Sequence, residues 1–206
     1  MERATRYIKN RWGHYFYKRL IFSGRYMMRI VRGLISLVVV LFGVFIVGGF
    51  FIPAEWTVSR SIVIHAGTEK IYPLVNNFKE WEKWSVWNTA RDATLKYTYE
   101  GAKEGVGAKQ TWTSEKMGNG GMQMTAASQE TGVAYDLAID MGHMQSTLHG
   151  EIAFVAKGDE TTVTWTDKSN AGKSFVQRWM GLLVKPMLGK DMNTSLEHLK
   201  ALAEKQ

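Results

Sequence analysis

Residues 33–52 read GLISLVVVLFGVFIVGGFFI, twenty consecutive positions without a charge. A helix of that length, at about 1.5 Å per residue, is about 30 Å long, matching the hydrocarbon thickness of a bilayer. It is apolar on every side, so it does not suit the surface of a globule, where a helix needs one polar face. Pro53 predicts its end, and Glu55 and Trp56 suit the far interface. The rival is a cleaved signal peptide, whose apolar core spans roughly 7–15 residues with small residues before the cut. Here the core is longer and no A-x-A pattern follows, which favours an uncleaved transmembrane anchor. The chain has no cysteine, which removes a lipoprotein anchor, disulfides, thiolate metal sites and a Cys nucleophile together.

Charge divides the chain at the same place. Residues 1–32 hold nine basic side chains against the single acid Glu2, a local charge of +8. Of the 26 Lys and Arg and 19 Asp and Glu in the chain, 17 and 18 remain for the rest, a net −1. The basic pI therefore belongs to the N-terminal segment, which argues against a nucleic-acid-binding domain. Arg25, Arg29 and Arg32 precede the apolar run and Glu55 follows it. The positive-inside rule then predicts a single-pass protein of the cell (inner) membrane. Residues 1–32 form its basic cytoplasmic segment, 33–52 its transmembrane helix, and 54–206 a domain on the periplasmic or extracytoplasmic side. Tyr7, Trp12, Tyr15, Phe16, Tyr17 and Phe22 interleave with the early cations. Three readings of that segment stay open: a helix lying on an anionic membrane surface, a solvated tail that sets topology, or a translation start at Met27 or Met28.

From Trp56 the periodicity changes. Trp56, Val58, Ile62 and Ile64 alternate with Thr57, Ser59 and Ser61, a half-buried strand. Thr68 is a candidate cap for a short helix carrying Ile71, Leu74 and Val75, limited by Pro73; a second short helix is predicted over 78–84. Strand patterns recur over 94–99, 108–113, 122–129, 133–139, 145–155 and 161–168. Between them lie Gly105-Val-Gly107, Gly118-Asn-Gly-Gly121, Glu130-Thr-Gly132 and Lys157-Gly-Asp159, short breaks that imply antiparallel neighbours. The C-terminus is helical: Phe175, Trp179 and Leu182 start an apolar stripe that Met192, Leu196, Leu199 and Ala203 continue. Gly181, Pro186 and Gly189 predict a kink or interruption in its first half. One strand, two short helices, six strands and a long helix define an α+β domain. A single helix is about 10 Å wide and does not fill the hollow of a wide curved sheet, so a cavity between the two is expected.

Four segments carry a resemblance. Trp56-Thr-Val-Ser-Arg-Ser-Ile-Val-Ile-His-Ala-Gly-Thr-Glu-Lys-Ile-Tyr resembles the opening strand and helix of the SRPBCC (START-like, birch-pollen-allergen-like) superfamily. Trp81-Glu-Lys-Trp84-Ser-Val-Trp87 is similar to its W-x-x-W-S-P-W block, with Val86 in place of proline. Tyr99-Glu-Gly101 with Gly105-Val-Gly107-Ala108, and the closing helix from Leu196 to Lys205, match two further blocks. The likeness covers residues 54–206, and its nearest members are membrane-anchored proteins labelled polyketide cyclase/dehydrase. It implies a helix-grip fold: a curved antiparallel sheet of about seven strands wrapped on the long C-terminal helix around a hydrophobic pocket. It also implies binding of lipids, sterols, quinones or polyketides, with catalysis in a minority of members.

The residues themselves show little catalytic chemistry. His143 and His149, if they share a strand face, stand about 20 Å apart along it, too far to share a metal ligated at about 2 Å. His65 and His198 complete no ligand spacing, so no metal or cofactor is expected. There is no G-x-S-x-G elbow, and Gln110 occupies the third glycine position of a dinucleotide loop after Gly105-Val-Gly107. Asp136, Asp140 and Glu151 fall on polar strand faces, and Asp92 reads as a loop or capping residue. The domain is instead rich in large rings, which serve either as core or as pocket wall. The candidate ligand-binding residues are Trp84, Trp87, Tyr97, Gln110, Trp112, Tyr135, Trp165 and Trp179. Met122, Met124, Met144, Met180 and Met187 offer an adaptable wall. The leading expectation is a membrane-anchored module that binds a hydrophobic small molecule or lipid. The alternatives are a cyclase/dehydratase-like enzyme, and a ligand-free module that binds a protein partner in the cell envelope.

Overall fold

The computed structural model describes residues 2–205 except 141, 143 and 144, with side chains from Tyr26 onward. His143 and Met144, and the side chains of the early aromatic residues, thus lie outside the described residues. The chain divides into two compact units, 1–51 and 52–206. The first is a single helix, α1 (Glu2–Phe51), longer than the expected 33–52. Its stretch Tyr26–Phe51 is long and apolar enough to cross a membrane. Val38, Phe42 and Val44 there are more than 60% exposed, unlike the side chains of a core helix.

The second unit runs β1 (Glu55–Ile64), α2 (Thr68–Asn76), α3 (Phe78–Trp84), β2 (Lys96–Gly101), β3 (Ala108–Thr113), β4 (Asn119–Ser128), β5 (Gly132–Asp140), β6 (Gln145–Lys157), β7 (Glu160–Asn170) and α4 (Phe175–Ala203). The strands form one antiparallel sheet in the order β1-β7-β6-β5-β4-β3-β2. Every sequential pair from β2 to β7 is a hairpin, and β1 closes on β7. This is the α+β arrangement that the alternation and the hairpin-length breaks predict, in the helix-grip form that the family resemblance implies. All helices of this unit pack on one face: α4 on β1, α2 and α3, α2 on β5 and β6, and α3 on β3. Beneath them lies a core of Ile64, Ile71, Val75, Trp84, Met124, Ile152, Val163, Met192, Leu196 and Leu199, each at most 1% exposed.

Four local expectations need correction. Thr68 is the first helical residue of α2 and not its cap; Gly67 takes the cap position in extended conformation, without a side-chain hydrogen bond. The expected turn at Gly118–Gly121 is shorter, because Asn119, Gly120 and Gly121 already pair with β5. α4 runs through Gly181, Pro186 and Gly189 without a break. Those two glycines are buried contact points: a Cβ at Gly181 would lie 3.0 Å from Trp56 Cδ1, and one at Gly189 2.1 Å from the Arg60 guanidinium. They bring the first half of α4 down onto β1, and so turn Leu182 outward to 47% exposure.

Candidate functional site

The register across the sheet arranges the inner face in rows, and burial changes from row to row. One row reads Val58, Asp167, Gly150, Tyr135 and Met124 across β1, β7, β6, β5 and β4, and all five are buried. The next row towards the start of β1 reads Trp56, Ser169, Leu148, Leu137 and Met122, all half-buried, and continues to Gln110 on β3. Beyond it lie Ser146, Ile139, Gly120, Trp112 and Tyr97, again half-buried. The helices therefore seal one end of the inner face, while apolar residues at the other end stay half-buried.

The aromatic residues at the sealed end hold one another. Trp84 and Trp165 stack edge-to-face at 5.5 Å, and Trp81 meets Trp84, Tyr135 and Trp165 at 4.9, 5.4 and 5.8 Å. Their polar atoms are satisfied within the domain. Trp81 and Trp84 donate to the carbonyls of Val75 and Leu74 at 2.8 and 2.9 Å. Trp165 Nε1 donates to Tyr135 Oη, and Tyr135 Oη donates to Asp167 Oδ1, each at 2.8 Å. Tyr135 reaches Asp167 by crossing over Gly150, where a Cβ would sit 2.0 Å from the ring.

Trp84, Tyr135 and Trp165 are thus buried floor. Trp87 is half-buried and touches Trp165 at 5.8 Å, and its carbonyl accepts from Tyr97 Oη at 2.5 Å. Burial pushes the Tyr97 hydroxyl up to about 12, so it stays a donor. Trp112 lies over Gly120, where a Cβ would be 2.3 Å from Cζ2. Gln110 is 3% exposed, and its side chain forms no hydrogen bond with the described residues. Trp179, half-buried on the first half of α4, belongs with β1 and stands apart from the β3 residues, with four strands between. Met122 and Met124 both face inward, whereas Met187 is 62% exposed.

Asp167 is the residue that the sequence reading passed over, although the alternation Val163, Trp165, Asp167 places it inward. It is 5% exposed. Burial raises its carboxyl to about 6, while the hydrogen bond from Tyr135 and the neighbouring Trp165 indole N–H act to lower it. The sign of the resulting pH effect is unusual for an acid. Between about pH 4 and 6 the folded chain holds a proton that the unfolded chain has released, so stability falls as pH rises through that window. The expected difference is on the order of 3 kcal/mol. Urea unfolding across that range should show a decline in the wild type that Asp167→Asn removes. Asp92 behaves as a loop residue: Ser114 and Thr94 donate to it and hold its carboxyl down at about 2.

No group of His, Asp and Glu that could hold a metal occurs among the described residues. A shallow depression of about 230 Å³ lies between the start of α3 and β2–β3, lined by Lys79, Tyr99, Lys103 and Lys109 among others. Its charged rim suits an apolar ligand poorly, and it lies away from Trp112 and Leu137.

A seven-stranded antiparallel sheet gripping a long C-terminal helix defines a helix-grip protein of the SRPBCC type. The chain belongs to the polyketide cyclase/dehydrase and lipid transport family, whose model matches residues 55–204. A search of curated proteins finds no match. Among solved structures, the hypothetical protein jhp0584 of Helicobacter pylori is similar, with TM-score 0.52 and 10% identity, covering 72% of this chain and 88% of that one. A protein from Arthrobacter aurescens has TM-score 0.50 and 16% identity, covering 73% and 87%. The Mll3558 protein of Rhizobium loti has TM-score 0.50 and 14% identity, covering 72% and 96%. At these identities the likeness defines the fold.

Proposed function

We propose that this protein binds an apolar small molecule or lipid in the recess at the open end of the inner face, beside the membrane to which α1 anchors it. The observation that carries the reading is the change in burial along the sheet. Met122, Leu137, Ile139, Leu148 and Trp112 are apolar, half-buried and contiguous, directly above a fully packed row. Apolar surface left uncovered in a hollow favours an apolar occupant. β1 begins at this same end, so the linker from Ile52 to Ala54 joins the domain next to the recess. The N-terminus is cytoplasmic in this reading and the domain is extracytoplasmic, on the strength of Arg25, Arg29 and Arg32.

Binding of a panel of fatty acids, quinones and phospholipids, followed by tryptophan fluorescence, tests the site. Trp112→Ala removes a half-buried wall, and Gly120→Val displaces the same ring. Each should weaken binding roughly tenfold, the effect of losing one aromatic contact. Unchanged affinity in both variants, or no binding by any panel member, would contradict the proposal. Alkaline carbonate washing tests the anchor: the full chain should stay with membranes, and residues 54–206 should be released.

A second reading, an enzyme of cyclase or dehydratase type, draws support from Asp167. A buried carboxyl raised to about 6 is suited to proton transfer. Chemical change of the bound molecule over time would favour this reading; recovery of the molecule intact favours carriage.

A further inference from the structure

The first half of α4 carries a surface unlike the rest of its domain. At about 100° per residue, Val176, Met180, Leu183 and Met187 fall in one narrow stripe, on the side of the helix opposite Gly181 and Gly189, which face β1. Val176, Leu183 and Met187 are more than half exposed, and Met180 is half-buried. With neighbouring Leu182, the stripe holds four of the seven exposed large hydrophobic side chains among the described residues from Ile52 on. The other three are dispersed, Val63 and Val155 on strands and Val106 in a loop. Charge gathers at the same place. Residues 168–190 contain Lys168, Lys173, Arg178, Lys185 and Lys190 and no acid, whereas the rest of 54–206 holds 12 basic and 18 acidic residues, a net −6. The next acid, Asp191, is already paired with Arg91 at 2.7 Å. Hydrogen bonds tie the start of α4 to the first residues after α1: Arg178 Nη1 donates to the Ile52 carbonyl at 3.3 Å, and Ala171 N donates to that of Ala54 at 2.8 Å.

We infer that this stripe is a membrane-contact surface whose occupant is the face of an anionic phospholipid bilayer. A helix with an exposed apolar stripe and cations but no acid suits the interfacial plane of a membrane. Its apolar side chains enter the boundary of the acyl chains, while exposed Lys173 and Lys190, at the two ends of the stripe, meet the phosphates. Charge decides between lipid and a second copy of the chain. A two-fold dimer through the stripe would set the same cations against one another, whereas anionic headgroups complement them. Connectivity points the same way, because Ile52 and Ala54, to which the start of α4 is bonded, directly follow the apolar helix. The inference takes from the proposed function only that α1 is a membrane anchor; it is independent of what the inner face of the sheet binds.

The test has two parts. In the first, residues 54–206, which contain the whole sheet, its helices and its core, are sedimented with vesicles of phosphatidylglycerol and phosphatidylcholine. Binding should be about tenfold or more tighter than to phosphatidylcholine alone, and should weaken as salt is raised. Lys173→Glu with Lys190→Glu, and separately Leu183→Gln with Met187→Gln, should each weaken it about tenfold or more. All four residues are exposed, so both variants should keep the wild-type melting temperature. The second part uses the full chain in bilayers. The chain has no cysteine, so Leu183→Cys and Val155→Cys each take a single fluorophore. Nitroxide-labelled lipids should quench the first about twofold or more over the second, which lies on the outer face of β6. Equal quenching at the two positions, or vesicle binding no different between wild type and both variant pairs, would overturn the inference. If the full chain nevertheless resists carbonate, the anchor stands and this surface alone has failed. A dimer of residues 54–206 that Leu183→Gln with Met187→Gln dissociates would assign the stripe to a second copy and overturn lipid as its occupant.

Discussion

Trp165→Ala is expected to cost the domain about 3–5 kcal/mol, the range for a large aromatic removed from a closed core. Trp165 is 1% exposed and touches Trp81, Trp84 and Trp87 edge-to-face, so its loss opens a void that three rings border. It also removes the donor to Tyr135 Oη, which leaves the Tyr135–Asp167 bond unsupported. For a domain of this size the melting temperature should fall roughly 10 °C. Val155→Ala is the comparison: Val155 is on the outer face of β6 at 66% exposure and should change stability by less than about 0.5 kcal/mol. Chemical denaturation of both variants checks the pair. A Trp165→Ala loss below about 1 kcal/mol would mean that the aromatic cluster is a loosely packed lining and not a floor.

Gly150→Val should be nearly as damaging for the opposite reason. Nothing is removed; the new Cβ occupies the place of the Tyr135 ring, 2.0 Å from Cζ and 2.4 Å from Oη. Tyr135 is buried between Trp81 and Asp167, so the ring has no free direction in which to retreat. Overpacking of this kind costs about 1–3 kcal/mol, and breaking a buried hydrogen bond to a carboxylate adds to it. A loss of about 3 kcal/mol is expected. Combining Gly150→Val with Tyr135→Ala should recover part of it, because the second change removes the obstacle, and a double-mutant cycle measures that coupling. Additive losses would show that the two residues do not meet.

The strands were legible because each buries one face, so period two was written into the residues. Val133, Tyr135, Leu137 and Ile139 do face inward together, and Ala108–Thr113 matches the predicted strand end to end. α4 was legible in its second half, where Met192, Leu196, Leu199 and Ala203 meet the core. Its first half was misread because glycine has two opposite meanings. A glycine breaks a helix when nothing lies opposite, but Gly181 and Gly189 are where Trp56 and Arg60 require room. The same ambiguity hid Gly120 and Gly150, whose importance lies in the rings across the sheet and not in their own strands. Asp167 was missed for a related reason: a lone acid near the end of a strand reads as solvated until the register places it between Val58 and Gly150. Trp84, Tyr135 and Trp165 could be read as inward, but the choice between floor and wall depends on how far the helices cover each row.

Native mass spectrometry of residues 54–206, produced without α1 and purified without detergent, shows whether the domain carries an apolar molecule. A co-purifying apolar molecule, retained by the wild-type domain and lost from Trp112→Ala, is the expected result. A bare protein mass, unchanged after exposure to lipids and quinones, would contradict it and turn attention to a protein partner in the cell envelope.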